Sequence, residues 1–260
     1  MSKQTITLAH GSGGRLTHDL IRDVFVKHLA NPILNAQDDA AVWAPPTSPK
    51  ARLAFSTDSY VIQPIFFPGG DIGKLAVCGT INDLAMVGAQ PLYLSAGFIL
   101  EEGLPLADLE KVVASMAQTA QEAGVEVVTG DTKVVDRGSA DLLFINTAGV
   151  GTIAQGVNIS GANARPGDVV IVSGPIGMHG LAIMTRREGL QFSSPLVSDC
   201  APLNGLVATM LATDARIHCL RDPTRGGLAT TLNEIALQSR VGIEIVEARV
   251  PVPELSLIHI

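Results

Sequence analysis

Aspartates recur beside apolar segments, where their side chains could bind a cation. Asp38 and Asp39 precede the segment 40–43, Asp58 follows AFST, Asp131 follows VEVVTG, and Asp83 lies within TINDLA. In an α/β protein the carboxyl ends of strands face the crevice that binds ligands. Carboxylates that converge there repel one another unless a hard cation lies among them, and Mg²⁺ prefers oxygen ligands. We therefore expect a magnesium site, although any single aspartate could instead cap a helix or form a turn.

Three glycine-rich segments could place backbone amides against an anion. The first, HGSGG (10–14), comes directly before a helical pattern, and the others are SGPIGMHG (173–180) and DPTRGG (222–227). In the first segment the amides concerned are those of Gly11, Ser12, Gly13 and Gly14. These amides could face a phosphate at a helix N-terminus or close over it as a lid. A plain N-terminal arm explains the same glycines equally well.

Charged side chains near these glycines could bind a phosphate directly. Arg225 follows Asp222 in DPTRGG. Its guanidinium could form either a bidentate hydrogen-bonded contact with a phosphate or a structural ion pair. Lys74 begins a helical pattern after PGGDIG, and Lys133 follows Gly-Asp-Thr. A lysine beside an aspartate could bridge a metal–phosphate site as a point charge, whereas a solvated surface lysine is the alternative for each.

Composition excludes several classes of protein. The 260 residues carry a formal net charge of −7, so we expect no basic surface for nucleic acid. The three cysteines, Cys78, Cys200 and Cys219, have no C-x-x-C spacing, which argues against a zinc ribbon or a disulfide framework and predicts idle, buried thiols. Because neither a signal-peptide pattern nor an apolar run of about 20 residues is found, we expect a soluble cytoplasmic protein.

Two short motifs resemble nucleotide-binding signatures but fail in detail. GGDIGK (69–74) has Pro68 where a P-loop needs its first glycine and Leu75 where it needs Ser or Thr. The segment 149–154 mimics a dinucleotide fingerprint, but a turn-rich stretch follows it instead of a helix. The sequence therefore supports neither a Walker nucleotidase nor a Rossmann dehydrogenase.

Alternating helical and strand patterns must position these residues. Apolar spacing predicts helices over 16–29, 71–87 and 106–123, and strands over 52–57, 91–100, 125–129 and 141–153. After the polar, turn-rich stretch 158–168, the pattern restarts with a strand over 169–173, helices from about 180, from about 203 and over 227–239, and a strand over 243–253. Two domains, 1–157 and 158–254, fit this order best.

The segment LSLIHI (255–260) has no polar counterpart and no helix cap. The second domain has too few predicted strands before this segment to close its sheet. We therefore expect an incomplete C-terminal domain followed by a non-native tail, a genuine terminal strand being the alternative.

Seven blocks of sequence together resemble the HypE-type family of hydrogenase maturation proteins. They are DDAAV (38–42), STDSYV (56–61), FFPGGDIGKLAVCGTINDLAMVGAQPLYLS (66–95), VVTGDTKVV (127–135), RPGDVVIVSGPIGMHGLAIM (165–184), SDCAPLN (198–204) and RDPTRGGLATTLNEIA (221–236). The resemblance extends over about residues 5–253. The wider superfamily contains aminoimidazole ribonucleotide synthetase, selenophosphate synthetase and thiamine-monophosphate kinase.

The resemblance implies a two-domain fold like that of aminoimidazole ribonucleotide synthetase, of mixed α+β and α/β class. The N-terminal domain would form a β-barrel across the two-fold axis of a homodimer, and ATP would bind between the domains with magnesium held by aspartates. The implied metal ligands are Asp38, Asp58, Asp83, Asp131 and Asp222, with the choice between Asp38 and Asp39 left open. The implied nucleotide-binding residues are Gly11, Ser12, Gly13, Gly14, Lys74, Asn82, Thr132 and Arg225, and the implied catalytic residue is Lys133.

The implied activity is that of a carbamoyl dehydratase. A HypF-type carbamoyltransferase would load a carbamoyl group onto a C-terminal cysteine, and its ATP-dependent dehydration would give a thiocyanate. HypC/HypD-type scaffold proteins would accept the cyanide for [NiFe]-hydrogenases. Magnesium and Lys133 would offset the charge on the transferring phosphoryl group. Because the sequence ends in LSLIHI without that cysteine, we expect this chain by itself not to complete the reaction.

Two other functions remain open at this stage. A selenophosphate synthetase would carry a reactive Cys or Sec in its N-terminal glycine loop, but position 12 is Ser and the first cysteine is Cys78. A catalytically inactive dimeric scaffold for the maturation partners would keep the fold without binding Mg-ATP.

Overall fold

Five strands form one mixed sheet in the order β1-β2-β7-β5-β6. They are β1 (Ala41–Trp43), β2 (Arg52–Tyr60), β5 (Ala89–Glu101), β6 (Glu126–Val135) and β7 (Leu143–Ile153). Strands β5 and β6 run parallel, and all other neighbours are antiparallel. Strands β3 (Phe66–Phe67) and β4 (Gly70–Asp71) form a separate ribbon. The computed structural model describes residues 9, 13–26, 32–36, 38–44, 52–188, 196–213 and 216–252.

Two long helices, α2 (Ile72–Met86) and α3 (Leu106–Ala123), pack against this sheet and against each other. The Asp71 carboxylate caps α2 by accepting hydrogen bonds from the amides of Gly73 (2.7 Å) and Lys74 (3.1 Å). Helix α3 ends at Gly124, whose left-handed φ of 70° suits glycine. Both helices confirm the predicted ones to within a residue.

A hydrophobic core fills the space between the two helices and the sheet. Its fully buried members include Ile72, Ile81, Leu94, Val112 and Ile145. Three polar side chains lie in the same core, and their hydroxyl groups form hydrogen bonds with one another. They are Tyr60, Thr80 and Thr147.

The Thr147 hydroxyl lies 2.6 Å from that of Thr80 and donates to the carbonyl oxygen of Ala76, and the Tyr60 hydroxyl lies 3.2 Å from Thr80. A Cβ at Gly79 would overlap the Tyr60 hydroxyl, so glycine is needed where α2 crosses this group. The resulting contacts fix the position of α2 on the sheet.

The N-terminal helix α1 (Arg15–Leu20) continues as a π-helical segment, Ile21–Val26, and both lie inside the predicted helix 16–29 apart from Arg15. Residues 27–29 of that prediction lie outside the described residues. None of the helices formed by the described residues is long and apolar enough to cross a membrane.

The second part of the chain contributes helices α4 (Met178–Glu188), α5 (Asn204–Leu211) and α6 (Gly227–Ser239), which confirm the three predicted helices. Val207 of α5 packs against Ala85 and Met86 of α2, and this contact joins the two parts. Helix α2 therefore lies at the boundary between the two parts of the chain.

The strands predicted over 169–173 and 243–253 are wrong. Residues 169–173 are irregular, and residues 243–252 are irregular apart from a 3₁₀ turn at Glu247–Arg249. The apolar side chains Val169 and Ile171 are 83% and 86% exposed. An apolar run becomes a strand only where a neighbouring strand accepts its backbone hydrogen bonds, and no strand pairs with either segment among the residues that the structure describes.

Candidate active site

A buried serine joins strand β2 to helix α2 at the centre of the site. Ala54, Ser56 and Tyr60 alternate along β2 and are buried, while the side chains between them are exposed. Ser56 Oγ donates a 2.6 Å hydrogen bond to Asp83 Oδ2 on α2. Asp58 follows Ser56 on the same face of the strand.

Four aspartates from four parts of the chain interact electrostatically here, and we call Asp39, Asp58, Asp83 and Asp222 the carboxylate cluster. Burial, followed by the charge of Asp222, raises the pKa of Asp83 to about 8, although the hydrogen bond from Ser56 lowers it. Burial also raises the pKa of Asp39 to about 7, with further increases from Asp222 and Asp38, and raises the pKa of Asp222. The cluster thus holds more negative charge than it can stabilise alone.

The donor chemistry of this cluster fits a hard divalent cation. Mg²⁺ typically takes one or two carboxylates from the protein and completes its coordination with water and substrate phosphates. Within the described ranges, no three His, Cys, Asp or Glu side chains are arranged to hold a metal ion by themselves. The cluster therefore suits an ion shared with a phosphorylated ligand better than a closed protein cage.

The adjacent residues Asp38 and Asp39 have different roles. The Asp38 carboxylate accepts hydrogen bonds from Ser160 Oγ (2.9 and 3.0 Å) and from the Gly161 amide (2.9 Å). Asp39 instead faces the cluster, and its Oδ1 lies 3.2 Å from Arg221 Nε. Asp38 therefore anchors the segment around Ser160, and Asp39 is the member of the pair that interacts with the carboxylate cluster.

Arg221 was not found from the sequence, although it directly precedes Asp222 in the block RDPTRGG. Its guanidinium also lies 2.6 Å from Glu234 on α6, and Glu234 lies 3.5 Å from His18 on α1. With only 14% of its side chain exposed, Arg221 holds Asp39 and Glu234 in one partly buried ion network. Ser56 and Ser160 were missed as well, because a single serine gives no pattern in the sequence.

Two of the glycine-rich segments meet at this site. Gly13 has a φ of +79°, and a Cβ there would lie 2.7–2.9 Å from backbone atoms of Arg225 and Gly226. The first glycine segment therefore touches the turn that starts α6, with the side chain of Arg225 exposed beside it. Gly14 is the N-cap of α1, while Gly11 and Ser12 lie outside the described residues.

Two predicted nucleotide-binding residues on α2 have protein partners. Lys74 Nζ donates to the Gly69 carbonyl oxygen at 3.0 Å, about 12 Å along the helix from Asn82. The Asn82 side chain donates to the Ala201 carbonyl oxygen (3.1 Å) and accepts from the Leu203 amide (2.8 Å). Asn82 thus adjoins the cluster in sequence, but its amide group is engaged with the second part of the chain.

The remaining predicted residues, Asp131, Thr132 and Lys133, lie far from the cluster within one chain. They belong to β6 at the edge of the sheet, and three strand spacings of about 4.8 Å separate β6 from β2. Lys133 Nζ pairs with Asp131 Oδ2 at 2.9 Å, and both side chains are 69% exposed. The structure therefore does not bring them together with Asp83.

The fold and this site define the class of the protein. The family described as AIR synthase related protein, N-terminal domain, matches residues 37–153, and the corresponding C-terminal domain family matches residues 165–258. These matches confirm the predicted two-domain architecture.

Individual proteins that are highly similar in sequence to this chain share one name. The "Carbamoyl dehydratase HypE" of Azotobacter vinelandii is 56% identical over 250 residues, which cover 96% of this chain and 72% of that protein. The chain belongs to the HypE family of carbamoyl dehydratases.

Solved structures of the same family superimpose on this chain. The structure of a HypE–HypF complex matches with a TM-score of 0.85 and 51% identity, covering 92% of this chain and 77% of the other. A HypE structure in complex with ATP matches with a TM-score of 0.77 and 55% identity, covering 98% of this chain and 76% of the other.

Proposed function

We propose that this chain binds Mg-ATP at the carboxylate cluster, and that ATP bound there drives the family's dehydration of a carbamoylated cysteine to a thiocyanate. The observation that carries this proposal is the group of mutually repelling carboxylates beside two glycine turns. Its support from outside the chain is the related HypE that was solved with ATP. The product would supply cyanide ligands during [NiFe]-hydrogenase maturation, with the cytoplasm as the proposed location.

The proposed reaction balances without an added oxidant or reductant. The oxygen of the thiocarboxamide R–S–C(=O)NH₂ attacks the γ-phosphorus of ATP, and ADP leaves. The two N–H protons are then lost as the C–O bond breaks, giving R–S–C≡N and inorganic phosphate. Phosphate carries the oxygen away because it is a far better leaving group than an amide oxygen.

The carboxylate cluster would hold magnesium, whose chemistry is to neutralise charge on the phosphate oxygens. Asp39, Asp83 and Asp222 are our first candidates for this role, with Asp58 beside them. The hydrogen bonds that Asp38 accepts from Ser160 and Gly161 favour Asp39 as the ligand of that adjacent pair. Ser56 would orient the Asp83 carboxylate by donating to its Oδ2, and Oδ1 would then bind the metal ion.

The glycine segments would bind the phosphates from the opposite side. The Gly13 backbone already lies against the start of α6, where amides and a helix N-terminus favour an anion. Arg225 is exposed at that turn and could reach a phosphate. Gly11, Ser12 and Gly14 remain our proposal for the rest of the lid, and Lys74 and Asn82 for the rim along α2.

We also propose a homodimer. Among the described residues β6 is the last strand of the sheet, and it is exposed along almost its whole length, with Val128 56% and Val134 70% exposed. A second copy could pair with this edge. Only in such a dimer could β6 approach the site of the second copy. We therefore keep three residues of β6 as candidates for that site, namely Asp131, Thr132 and Lys133.

Other partners follow from the family. A HypF-type carbamoyltransferase would deliver the carbamoyl group, since a related HypE forms a complex with HypF. HypC/HypD-type proteins would accept the cyanide. The division of this chain at about residue 157 also remains our proposal, and it falls between the two family matches, 37–153 and 165–258. The proposed tail, 255–260, lies outside the described residues.

Calorimetric titration with Mg-ATP tests the proposed site. We expect wild type to bind, Asp83→Asn to bind at least about tenfold more weakly, and the control Asp108→Asn on α3 to bind like wild type. The two variants make the same chemical change, and the Asp108 carboxylate pairs with Lys111 at 3.0 Å on a helix outside the cluster. Undiminished binding by Asp83→Asn would refute the site, and no binding by wild type would favour the inactive scaffold.

A further inference from the structure

Three side chains of α2 point toward one segment of the second domain. Lys74, Cys78 and Asn82 are spaced four residues apart and so lie on one helix face. The segment 196–203 runs along this face and contains Cys200.

Hydrogen bonds hold this segment in place on both sides of Cys200. The Ser198 amide donates to the Pro68 carbonyl oxygen at 2.9 Å, and Asn82 binds both Ala201 (3.1 Å) and Leu203 (2.8 Å). The Ser198 hydroxyl also accepts from the Cys200 amide at 3.1 Å, which fixes the local turn. Cys200 is therefore clamped against the face of α2 that carries Cys78.

The two thiols interact, and they differ in reactivity. The neighbouring Cys78 thiol lowers the pKa of Cys200, and the positive charge of Lys74 lowers it further, although burial acts in the opposite direction. The same interaction, together with burial, raises the pKa of Cys78. Cys78 is buried and Cys200 is half-buried, so Cys200 is the thiol that ionises first and meets solvent.

Cys219 provides a contrast within the same chain. It is half-buried like Cys200, but its thiol donates to the Ser160 carbonyl oxygen at 3.0 Å, and burial raises its pKa. Cys219 therefore differs from Cys200 both in its hydrogen-bond partner and in the direction of its pKa.

We propose that Cys78 and Cys200 form a dithiol site that a peroxide oxidises to a disulfide joining α2 to the segment 196–203. The Cys200 thiolate attacks one peroxide oxygen and becomes a sulfenic acid, releasing hydroxide. The Cys78 thiol then attacks that sulfur, forming the S–S bond and releasing water. Overall, two thiols and one hydrogen peroxide give one disulfide and two waters, so the thiols lose the two electrons that the peroxide gains.

The link would connect the two domains at the helix that carries Asp83. The disulfide would add a covalent bond to the hydrogen bonds that hold the segment 196–203 on α2. The site needs no nucleotide and does not depend on the proposed reaction.

Peptide mapping of the peroxide-treated chain tests the proposal. The purified chain is treated with hydrogen peroxide, blocked with an alkylating reagent, digested without reduction and measured by mass spectrometry. We expect a peptide pair joined through Cys78 and Cys200, two hydrogens lighter than the free pair and separated by dithiothreitol. The same pair should form in Cys219→Ser.

Alkylation rates before oxidation provide a second readout that requires no variant. Cys200 should react with iodoacetamide at neutral pH at least about tenfold faster than Cys219, because only Cys200 has a stabilised thiolate. A faster reaction at Cys219, a disulfide that includes Cys219, or separate oxidation of Cys78 and Cys200 without a link would each overturn the proposal. Thiols that all survive the peroxide would overturn it as well.

Discussion

The backbone of Gly13 lies against the backbone of Arg225, although more than 200 residues of chain separate them. A Cβ at Gly13 would lie 2.7 Å from the Arg225 carbonyl carbon, and the φ of Gly13 is +79°. The contact joins the first glycine segment to the turn that begins α6. It thereby closes one side of the candidate site.

Gly13→Ala should therefore separate these two segments and weaken Mg-ATP binding by about tenfold or more, as measured by calorimetry. Gly156→Ala is the matched control, because its φ is +89° but a Cβ there meets nothing within 4 Å. The control should cost about 1 kcal/mol of stability through backbone strain and leave the affinity unchanged. Equal affinity in wild type and Gly13→Ala would show that this contact does not shape the site.

Ser56→Ala should raise the pKa of Asp83 further, because the hydrogen bond from Ser56 favours the charged carboxylate. We expect the midpoint of the pH dependence of Mg-ATP binding to move upward by about half a unit or more. Ser59→Ala is the control, since Ser59 is exposed and its hydroxyl accepts a hydrogen bond from Asn146 at 3.0 Å instead of donating to Asp83. A midpoint that stays at the wild-type value would rule out this role for Ser56.

The free energy of unfolding of the metal-free chain should fall as the pH rises from about 5 to about 9. Asp39 and Asp83 have pKa values of about 7 and about 8 in the folded chain, against about 4 when unfolded. In this window the folded chain binds more protons than the unfolded chain, so raising the pH favours unfolding.

Urea denaturation in EDTA at several pH values measures this slope. Asp83→Asn cannot titrate at that position, so its slope should be shallower than that of wild type, mainly between about pH 5 and 8. Identical slopes in the two proteins would contradict the raised pKa of Asp83.

Arg221→Met should lower the free energy of unfolding by about 2–4 kcal/mol, because it removes the guanidinium that the partly buried carboxylates of Asp39 and Glu234 share. Arg15→Ala should change it by less than about 0.5 kcal/mol, since that side chain is 94% exposed and its pair with Asp19 spans 3.8 Å. Chemical denaturation at neutral pH measures both. A loss at Arg221 as small as that at Arg15 would mean that the ion network contributes little.

Gly79→Ala should destabilise the chain by about 1–3 kcal/mol, because its Cβ would overlap the Tyr60 hydroxyl in the core. Gly205→Ala makes the same change in helix α5, where a Cβ meets nothing within 4 Å. That control should be neutral or stabilise by up to about 1 kcal/mol through helix propensity. Thermal unfolding of the two variants compares them directly, and equal effects would mean that α2 can shift away from Tyr60.

The local sequence determined the helices and the composition of the site. Apolar periodicity predicted α3 closely, because one face of that helix must be buried and the spacing of 3.6 residues records that face. Helix α2 is buried on most sides, and its apolar composition marked it instead. Gly124 marked the end of α3 for an equally local reason, since its φ is positive. The long blocks of family sequence gave the two-domain class and named Asp58, Asp83 and Asp222 as candidates.

Only the tertiary structure decided which candidates meet. Neighbours such as Asp38 and Asp39 look equivalent in sequence, but distant partners distinguish them, Ser160 for the first and Arg221 for the second. The order of strands places Asp131 and Lys133 at the opposite edge of the sheet from β1. Strand order depends on long-range pairing, and no residue pattern within β6 records it.

The same physical reason explains the two failed strands and the pairing of Cys78 with Cys200. The apolar run 169–173 lacks the partner strand that β structure requires, and a local pattern contains no information about that partner. Cys78 and Cys200 lie 122 positions apart, and only the packing of segment 196–203 on α2 makes them a pair. Residue type determined what each side chain can do, and the folded chain decided which of them act together.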